Sequence, residues 1–175
     1  MDKNSNPITI LTDPILHRTM LLPQLVRIGA RTVRNWFRPS KNEYVKYRGH
    51  FAVTRSLIEG LNKAGLSHNY NPNFIRDLSG TVLVLSGVRT LRQAIELKKK
   101  GKIKKLFAGP NIVVFSSDAD SIIASLEIDV VITPCDWVTD LYLEDNLSLE
   151  GRCYSWAAGV DVEFWKPDPV MERKQ

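Results

Sequence analysis

Apolar positions along the chain follow two different spacings, and these predict an alternation of strands and helices. Short apolar runs are typical of buried strands, and they occur at residues 81–86, 105–108, 129–133 and 154–157, with 111–115 as a further strand or a loop. Helical spacing occurs at residues 51–63, 91–100, 117–126 and 136–143. Residues 67–73 are polar and are assigned to neither class. We therefore expect an α/β fold of Rossmann-like type, with a mostly parallel sheet and helices on both faces.

The first 43 residues form a leader with a different pattern. An apolar run predicts a short strand at residues 8–11, and helical spacing returns at residues 22–37 before Pro39 ends the helix. One side of this helix carries a stripe of four arginines, namely Arg27, Arg31, Arg34 and Arg38. Two interpretations of this basic amphipathic helix stay open. Its arginine stripe is a solvated face, or it lies on anionic lipid with Trp36 near the boundary.

The charge of the chain is divided unevenly along its length. The 175 residues carry a net charge of +5, but residues 1–105 hold 20 of the 24 basic and only 6 of the 19 acidic residues. Such a basic side can face an anionic partner, for example nucleic acid, an acidic membrane surface or an anionic glycolipid. The lysine run at residues 98–105 is typical of a solvated helix end and lacks the interleaved aromatic residues of single-strand binders.

Composition narrows the class of protein further. The chain has 43% hydrophobic and 25% charged residues, which is typical of a globular domain. No apolar run approaches the roughly 20 residues of a membrane span, and the first residues lack the apolar core of a secretory signal. The two cysteines, Cys135 and Cys153, do not suggest a disulfide framework. These observations predict a cytoplasmic protein, or one attached peripherally to the inner face of a membrane.

Ligands of parallel α/β sheets bind at the carboxyl ends of the strands, which singles out three short segments. They are Ser86-Gly87, Gly109-Pro110-Asn111 and Pro134-Cys135. Asp118 and Asp120 have a spacing that can hold a divalent cation, but acidic residues also favour the first turn of a helix, and we expect this second role. The histidines and cysteines show no metal-ligand spacing, so we predict no metal site.

The most informative motif is Gly159-Val-Asp-Val-Glu-Phe-Trp-Lys-Pro167. Gly159 permits a backbone turn, Asp161 can hold that turn through nearby amides, and Pro167 stiffens the exit, so an ordinary structural turn would use the same residues. The pattern G-V-D-x3-[FW]-x-P also closely resembles the interdomain linker of GT-B-fold glycosyltransferases, in particular the large retaining family that uses nucleotide sugars.

Two earlier segments extend this resemblance, which covers roughly residues 44–168. Residues 129–137 resemble the family's strand followed by P-S-x-W and a helix, with Cys135 in place of the usual serine. Gly49 resembles the family's glycine-rich loop, although His50 stands where a second glycine is usual. His50 can also simply cap the helix that follows.

The resemblance implies that residues 44–168 form the acceptor-binding domain and that residues 169–175 begin the interdomain linker. It implies transfer of a sugar from a nucleotide-diphosphate sugar to a hydroxyl group of a glycan or glycolipid, with retention of the anomeric configuration. Gly49 and His50 would line the cleft, with Arg48 as a contact to acceptor or phosphate. Gly109 and Asn111 are further acceptor-binding candidates, because they lie at the carboxyl end of a predicted strand. No catalytic base is assigned.

The same resemblance implies that this chain alone holds no cofactor. The nucleotide-sugar donor is expected to bind mainly to a second domain, supplied in cis or in trans, and the chain is expected to be inactive without it. Two other functions stay open on the sequence. One is a non-catalytic module that binds a glycan or an anionic lipid, and the other is a basic protein that binds nucleic acid.

Overall fold

The computed structural model describes residues 7–15, 50–72, 74–112, 114 and 121–157. The strands in these ranges are β1 (Ile8–Leu11), β2 (His68–Tyr70), β3 (Thr81–Ser86), β4 (Lys105–Asn111), β5 (Val130–Thr133) and β6 (Cys153–Ser155). The α-helices are α1 (His50–Lys63), α2 (Val88–Lys99) and α3 (Asp136–Asp145). Short 3-10 turns lie at Ile75–Asp77, Ile122–Ala124 and Leu147–Leu149.

The strands form one six-stranded parallel sheet in the order β2-β1-β3-β4-β5-β6, which confirms the predicted α/β fold. The order reverses at β1, because β2 lies on one side of it and β3 on the other. Crossovers between parallel strands are right-handed, so winding in two directions places α1 on one face of the sheet and α2 and α3 on the other. β1 comes from the segment described above as a leader, and it lies inside the sheet.

The main core lies between the sheet and the helices α2 and α3. Its strand residues alternate along each strand, as expected when every second side chain points to one face. Apolar residues of α2 recur at helical spacing and cover them. The members of this core from β3, β4 and β5 are Val82, Val84, Leu106, Ala108 and Val131, and those from α2 are Leu91, Ala94, Ile95 and Leu97. This packing fixes the strand ends, and therefore the polar residues that follow them.

The prediction of a helix at residues 117–126 is wrong for the part that the structure describes. After Ser121 the chain makes only a single 3-10 turn. The carbonyl oxygens of Ala124, Ser125 and Ile128 accept hydrogen bonds of 2.7–2.9 Å from the guanidinium group of Arg152. The amides of Ala124 and Ser125 donate to the carbonyl oxygens three residues earlier, of Ser121 and Ile122, which is the pattern of a 3-10 turn and not of an α-helix. The bonds from Arg152 then hold the irregular path of the chain from Ala124 to Ile128.

Three strands differ from the sequence expectation, and the smallest difference is at β6, which spans Cys153–Ser155 instead of residues 154–157. β2 lies in the polar segment 67–73, which shows neither strand-like nor helical spacing of apolar residues. Its three residues are His68, Asn69 and Tyr70. It is an edge strand paired only with β1 and is half-buried at best, so burial leaves no apolar signal in its sequence. β4 continues to Asn111, three residues beyond the predicted end at Ala108.

No helix in the described ranges is both long and apolar enough to cross a bilayer. Both cysteines are free thiols, with Cys135 half-buried and Cys153 buried.

Candidate functional site

Polar residues follow the strands at the carboxyl edge of the sheet. Thr12 and Asp13 follow β1, Asn71 follows β2, Gly87 follows β3, and Asn111 ends β4. In doubly wound sheets, ligands bind where the strand order reverses, which is here between β1 and β3. We call the surface formed by Asp13, Asn71, Gly87 and Asn111 the switch-point surface.

Asn71 fixes the turn that leaves β1. Its side-chain oxygen accepts hydrogen bonds from the amides of Thr12 at 2.8 Å and, more weakly, Asp13 at 3.4 Å. Its side-chain amide donates to Thr12 Oγ1 at 2.7 Å, and that hydroxyl also lies 3.0 Å from the hydroxyl of Tyr70. Asn71 has a φ of 42°, a left-handed conformation that asparagine tolerates better than most residues. The turn that carries Asp13 is therefore held by β2, its neighbour in the sheet.

Asp13 presents an exposed carboxylate at this turn. Its side chain forms no ion pair and no hydrogen bond within the described part of the chain. The turn lies close to the start of α2, since the carbonyl oxygen of Thr12 is 3.7 Å from the point where a β-carbon would sit on Gly87. Gly87 has a φ of 89°, which disfavours other residues. The first amides of α2 lack partners within the helix, so an acceptor and donors lie side by side here.

The end of β4 contributes a second donor. Asn111 pairs in register with Ser86, the last residue of β3. The side-chain nitrogen of Asn111 is buried and has no hydrogen-bond partner among the residues that the structure describes. A buried donor without a partner costs about 1–3 kcal/mol, so such groups are uncommon in folded proteins. Two residues earlier, Gly109 has a φ of 117°, and a β-carbon there would lie 1.8 Å from the carbonyl oxygen of Ile132. No other residue fits at this position of the edge.

The ends of β5 and β6 are tied to each other through α3. The buried Thr133 hydroxyl bonds to Thr139, and the Ser155 hydroxyl bonds to the carboxylate of Asp136. Cys135 immediately precedes α3, and Trp137 in its first turn is 68% exposed. These bonds hold the edge together, but they engage its hydroxyl groups internally. Within the described ranges, the unpartnered acceptor and donor identified above belong instead to the switch-point surface.

Three groups with shifted pKa values lie away from this surface. Burial acts to raise the pKa of Asp129, but the Lys98 ammonium and the Leu106 amide, which both donate to its carboxylate, outweigh burial and lower it. Asp129 precedes β5 and therefore lies at the opposite, amino edge. Burial raises the pKa of the Tyr142 phenol and of the Cys153 thiol. Tyr142 donates to the carbonyl oxygen of Val114 at 2.9 Å and so has a structural role.

The residues singled out by sequence fall into two groups. Gly109 and Asn111 lie at the carboxyl edge, and the structure brings Asn111 next to Ser86 and Gly87. His50 is the first residue of α1, and its side chain lies outside the described part of the structure. Also outside it are Arg48, Gly49, the arginine stripe (Arg27, Arg31, Arg34 and Arg38), Asp118, Asp120 and the motif from Gly159 to Pro167. Within the ranges that are described, no cluster of His, Cys, Asp and Glu side chains could hold a metal ion.

Sequence reasoning missed Asp13 and Asn71. They are 58 residues apart in the chain and become neighbours only because β2 pairs with β1. Two dipeptides in the sequence could have pointed to them. Asp13-Pro14 and Asn71-Pro72 are both typical of a turn after a strand. The surface thus offers a carboxylate acceptor, an amide donor and the start of a helix. This set suits a ligand with several hydroxyl groups.

An open groove of about 630 Å³ lies elsewhere, between α2 and residues 121–126. Arg92 and Glu96 line one side of it, and Ile122 and Leu126 the other. The groove lies beside α2 and not at the strand ends. The switch-point surface, with its unpartnered donor and acceptor, is therefore the better candidate site.

Comparison with models of protein families, with curated proteins and with solved structures gives no match to this chain. The candidate site therefore rests on the geometry of the sheet edge and on the motifs of the sequence.

Proposed function

We propose that the chain is the acceptor-side half of a glycosyltransferase, which moves a sugar from a nucleotide-diphosphate sugar to a hydroxyl group of a glycan or glycolipid. One observation carries the proposal. β6, the last strand of the parallel sheet, ends at Ser155, and the Gly159 motif begins four residues later in the sequence. In the glycosyltransferases that this motif resembles, the linker follows the last strand of the acceptor-binding domain.

The chemistry of the switch-point surface fits this role. A hydroxyl group is both a donor and an acceptor, and Asp13 can accept from it while an amide of α2 donates to a second oxygen of the same ligand. The Asn111 side-chain nitrogen is buried, so it adds a donor once the side chain turns toward the ligand. Charge-assisted hydrogen bonds of this kind give orientation as well as affinity. Donor binding and the transfer step then belong to a second domain, in cis or in trans. The chain supplies selection and positioning of the acceptor.

Ligand binding to the 175-residue chain tests this division of labour. Saturation-transfer NMR is expected to show contact with oligosaccharides, and only weak contact with UDP-glucose or GDP-mannose. Labelled nucleotide sugars are expected to give no transfer product with the chain alone. Preferential binding of nucleotide sugars would contradict the proposal, as would saturable binding of an oligonucleotide without any binding of oligosaccharides. Glycan binding that persists with no transfer after a donor-binding domain is supplied would favour a non-catalytic glycan-binding module.

A further inference from the structure

The amino edge of the sheet, opposite the switch-point surface, carries an excess of lysines. α2 ends with Lys98 and Lys99 and is followed by Lys100, and the turn into β4 adds Lys102, Lys104 and Lys105. α1 ends at Lys63 on the other face of the sheet. These lysines share one edge of the sheet, because each helix that connects two parallel strands runs back to the amino edge and ends there.

Most of these lysines have no counter-charge among the residues that the structure describes. Lys98 is paired with Asp129, and Lys99 lies 3.3 Å from Glu96. The other five are exposed and form no ion pair or side-chain hydrogen bond with any residue that the structure describes: Lys63, Lys100, Lys102, Lys104 and Lys105. The end of a helix favours one or two cations near its last carbonyls, but five unpaired lysines exceed that requirement. We call these five lysines the lysine edge.

The backbone holds part of the lysine edge in a fixed position. The amides of Lys104 and Lys105 both donate to the carbonyl oxygen of Gly80, at 2.8 and 2.9 Å. The aliphatic stem of Lys104 packs beside Gly80, where its Cδ lies 3.4 Å from the position of a β-carbon. The ammonium groups therefore project from an ordered strand start, and not from a free terminus.

An exposed aliphatic side chain lies on the same edge. Leu66, which is 44% exposed, precedes Ser67, whose carbonyl oxygen accepts from the amide of Ile8 at the start of β1. Lysines on the same edge as an exposed aliphatic side chain suit the interface of an anionic bilayer, where the charges meet headgroups and the aliphatic group enters the interface. Recognition of single-stranded nucleic acid relies instead on stacked aromatic residues and on arginine.

We propose that the lysine edge binds the surface of an anionic lipid bilayer. Membrane binding through the lysine edge does not depend on the proposed transferase function. It would, however, restrict which acceptors can reach the switch-point surface. β4 has seven residues, so the switch-point surface stands roughly 20 Å above the bilayer at about 3.3 Å per residue. An acceptor hydroxyl bound there belongs to a free glycan or to an extended glycan on a lipid, and not to the first sugar at the membrane surface.

Vesicle flotation with the full chain tests the proposal. We expect capture by vesicles of phosphatidylcholine mixed with phosphatidylglycerol, little capture by phosphatidylcholine alone, and release by salt. Each lysine near an anionic surface strengthens binding about fivefold, so the variant Lys102→Gln/Lys104→Gln is expected to lower the partition coefficient about 25-fold. The matched control is Arg89→Gln/Arg92→Gln, which removes the same charge from the first half of α2, away from the lysine edge, and is expected to keep most of the binding.

Three results would overturn the proposal. The first is equal loss of vesicle binding in the lysine variant and in the arginine control, which would show a response to net charge alone. The second is full binding by the lysine variant together with loss in Arg31→Gln/Arg34→Gln, which would move the contact to residues 1–43. The third is salt-sensitive capture of an oligonucleotide by a chain that does not bind anionic vesicles. Circular dichroism of each variant confirms that the fold persists, which is expected because the substituted lysines are exposed.

Discussion

Asn71 offers the sharpest test of how the switch-point surface is held. It makes two hydrogen bonds to Thr12, of 2.8 and 2.7 Å, and has a φ of 42°. Each bond contributes about 1 kcal/mol, so Asn71→Gly, which keeps access to positive φ, is expected to lower the free energy of unfolding by about 2 kcal/mol. Asn71→Ala loses the same bonds and adds left-handed strain, partly offset by the entropy of glycine in the unfolded chain. Alanine is therefore expected to cost about 1 kcal/mol more than glycine.

Urea unfolding of the two variants measures both effects. The matched control is Asn69→Ala in β2, because within the described part of the chain that exposed side chain makes one long hydrogen bond, 3.5 Å to the carbonyl oxygen of Asp77. Its effect is expected to stay within about 0.5 kcal/mol. Wild-type stability in Asn71→Gly would refute the contribution of the hydrogen bonds. An alanine variant that is as stable as the glycine variant would refute the strain.

Three further predictions concern contacts that hold the sheet and its connections in place. Gly109→Ala places its β-carbon 1.8 Å from a backbone oxygen and is expected to lower the free energy of unfolding, measured in urea, by more than about 3 kcal/mol. Gly60→Ala is the control, because a β-carbon there meets no neighbouring side chain or strand within 4 Å, and it is expected to be neutral or stabilising. Equal effects of the two substitutions would refute the steric argument. Arg152→Met is expected to cost about 2–4 kcal/mol, because it leaves several carbonyl oxygens without donors, and a loss below about 1 kcal/mol would contradict this. Asp129 has a lowered pKa in the fold, so its stabilisation is complete above the ordinary aspartate pKa of about 3.9 and declines as the pH falls below it. The difference in melting temperature between the wild type and Asp129→Asn should shrink over that acidic range, and a constant difference would contradict the linkage.

The sequence predicts the strands that burial makes apolar. β3 and β5 lie inside the sheet and appear as continuous apolar runs, Thr81–Ser86 and Val130–Thr133. The sequence does not predict β2, because this edge strand of His68, Asn69 and Tyr70 buries little surface and therefore lacks apolar residues. The irregular path near Ala124 is held by hydrogen bonds from Arg152, which is 28 residues away, so no local pattern in the sequence could reveal it.

The site shows the same division between local and long-range information. The carboxyl-end rule leads from the sequence to Gly109 and Asn111, because each strand end can be found on its own. Identifying Asp13 and Asn71 as site residues requires knowledge of the strand order, in which β2 and β3 flank β1. Strand order depends on which apolar faces pack together, and one chain's periodicity does not encode it. The surface where the order reverses is therefore the part of the molecule that a sequence alone leaves open.

The central claim is that the switch-point surface binds a polyhydroxyl ligand, and amide chemical shifts during an oligosaccharide titration test it most directly. We expect saturable shifts at Asp13, Asn71, Gly87 and Asn111, and a loss of affinity of about tenfold or more in Asp13→Asn, as for one charge-assisted hydrogen bond. Shifts confined to other surfaces, or an Asp13→Asn variant that binds as tightly as the wild type, would contradict the claim.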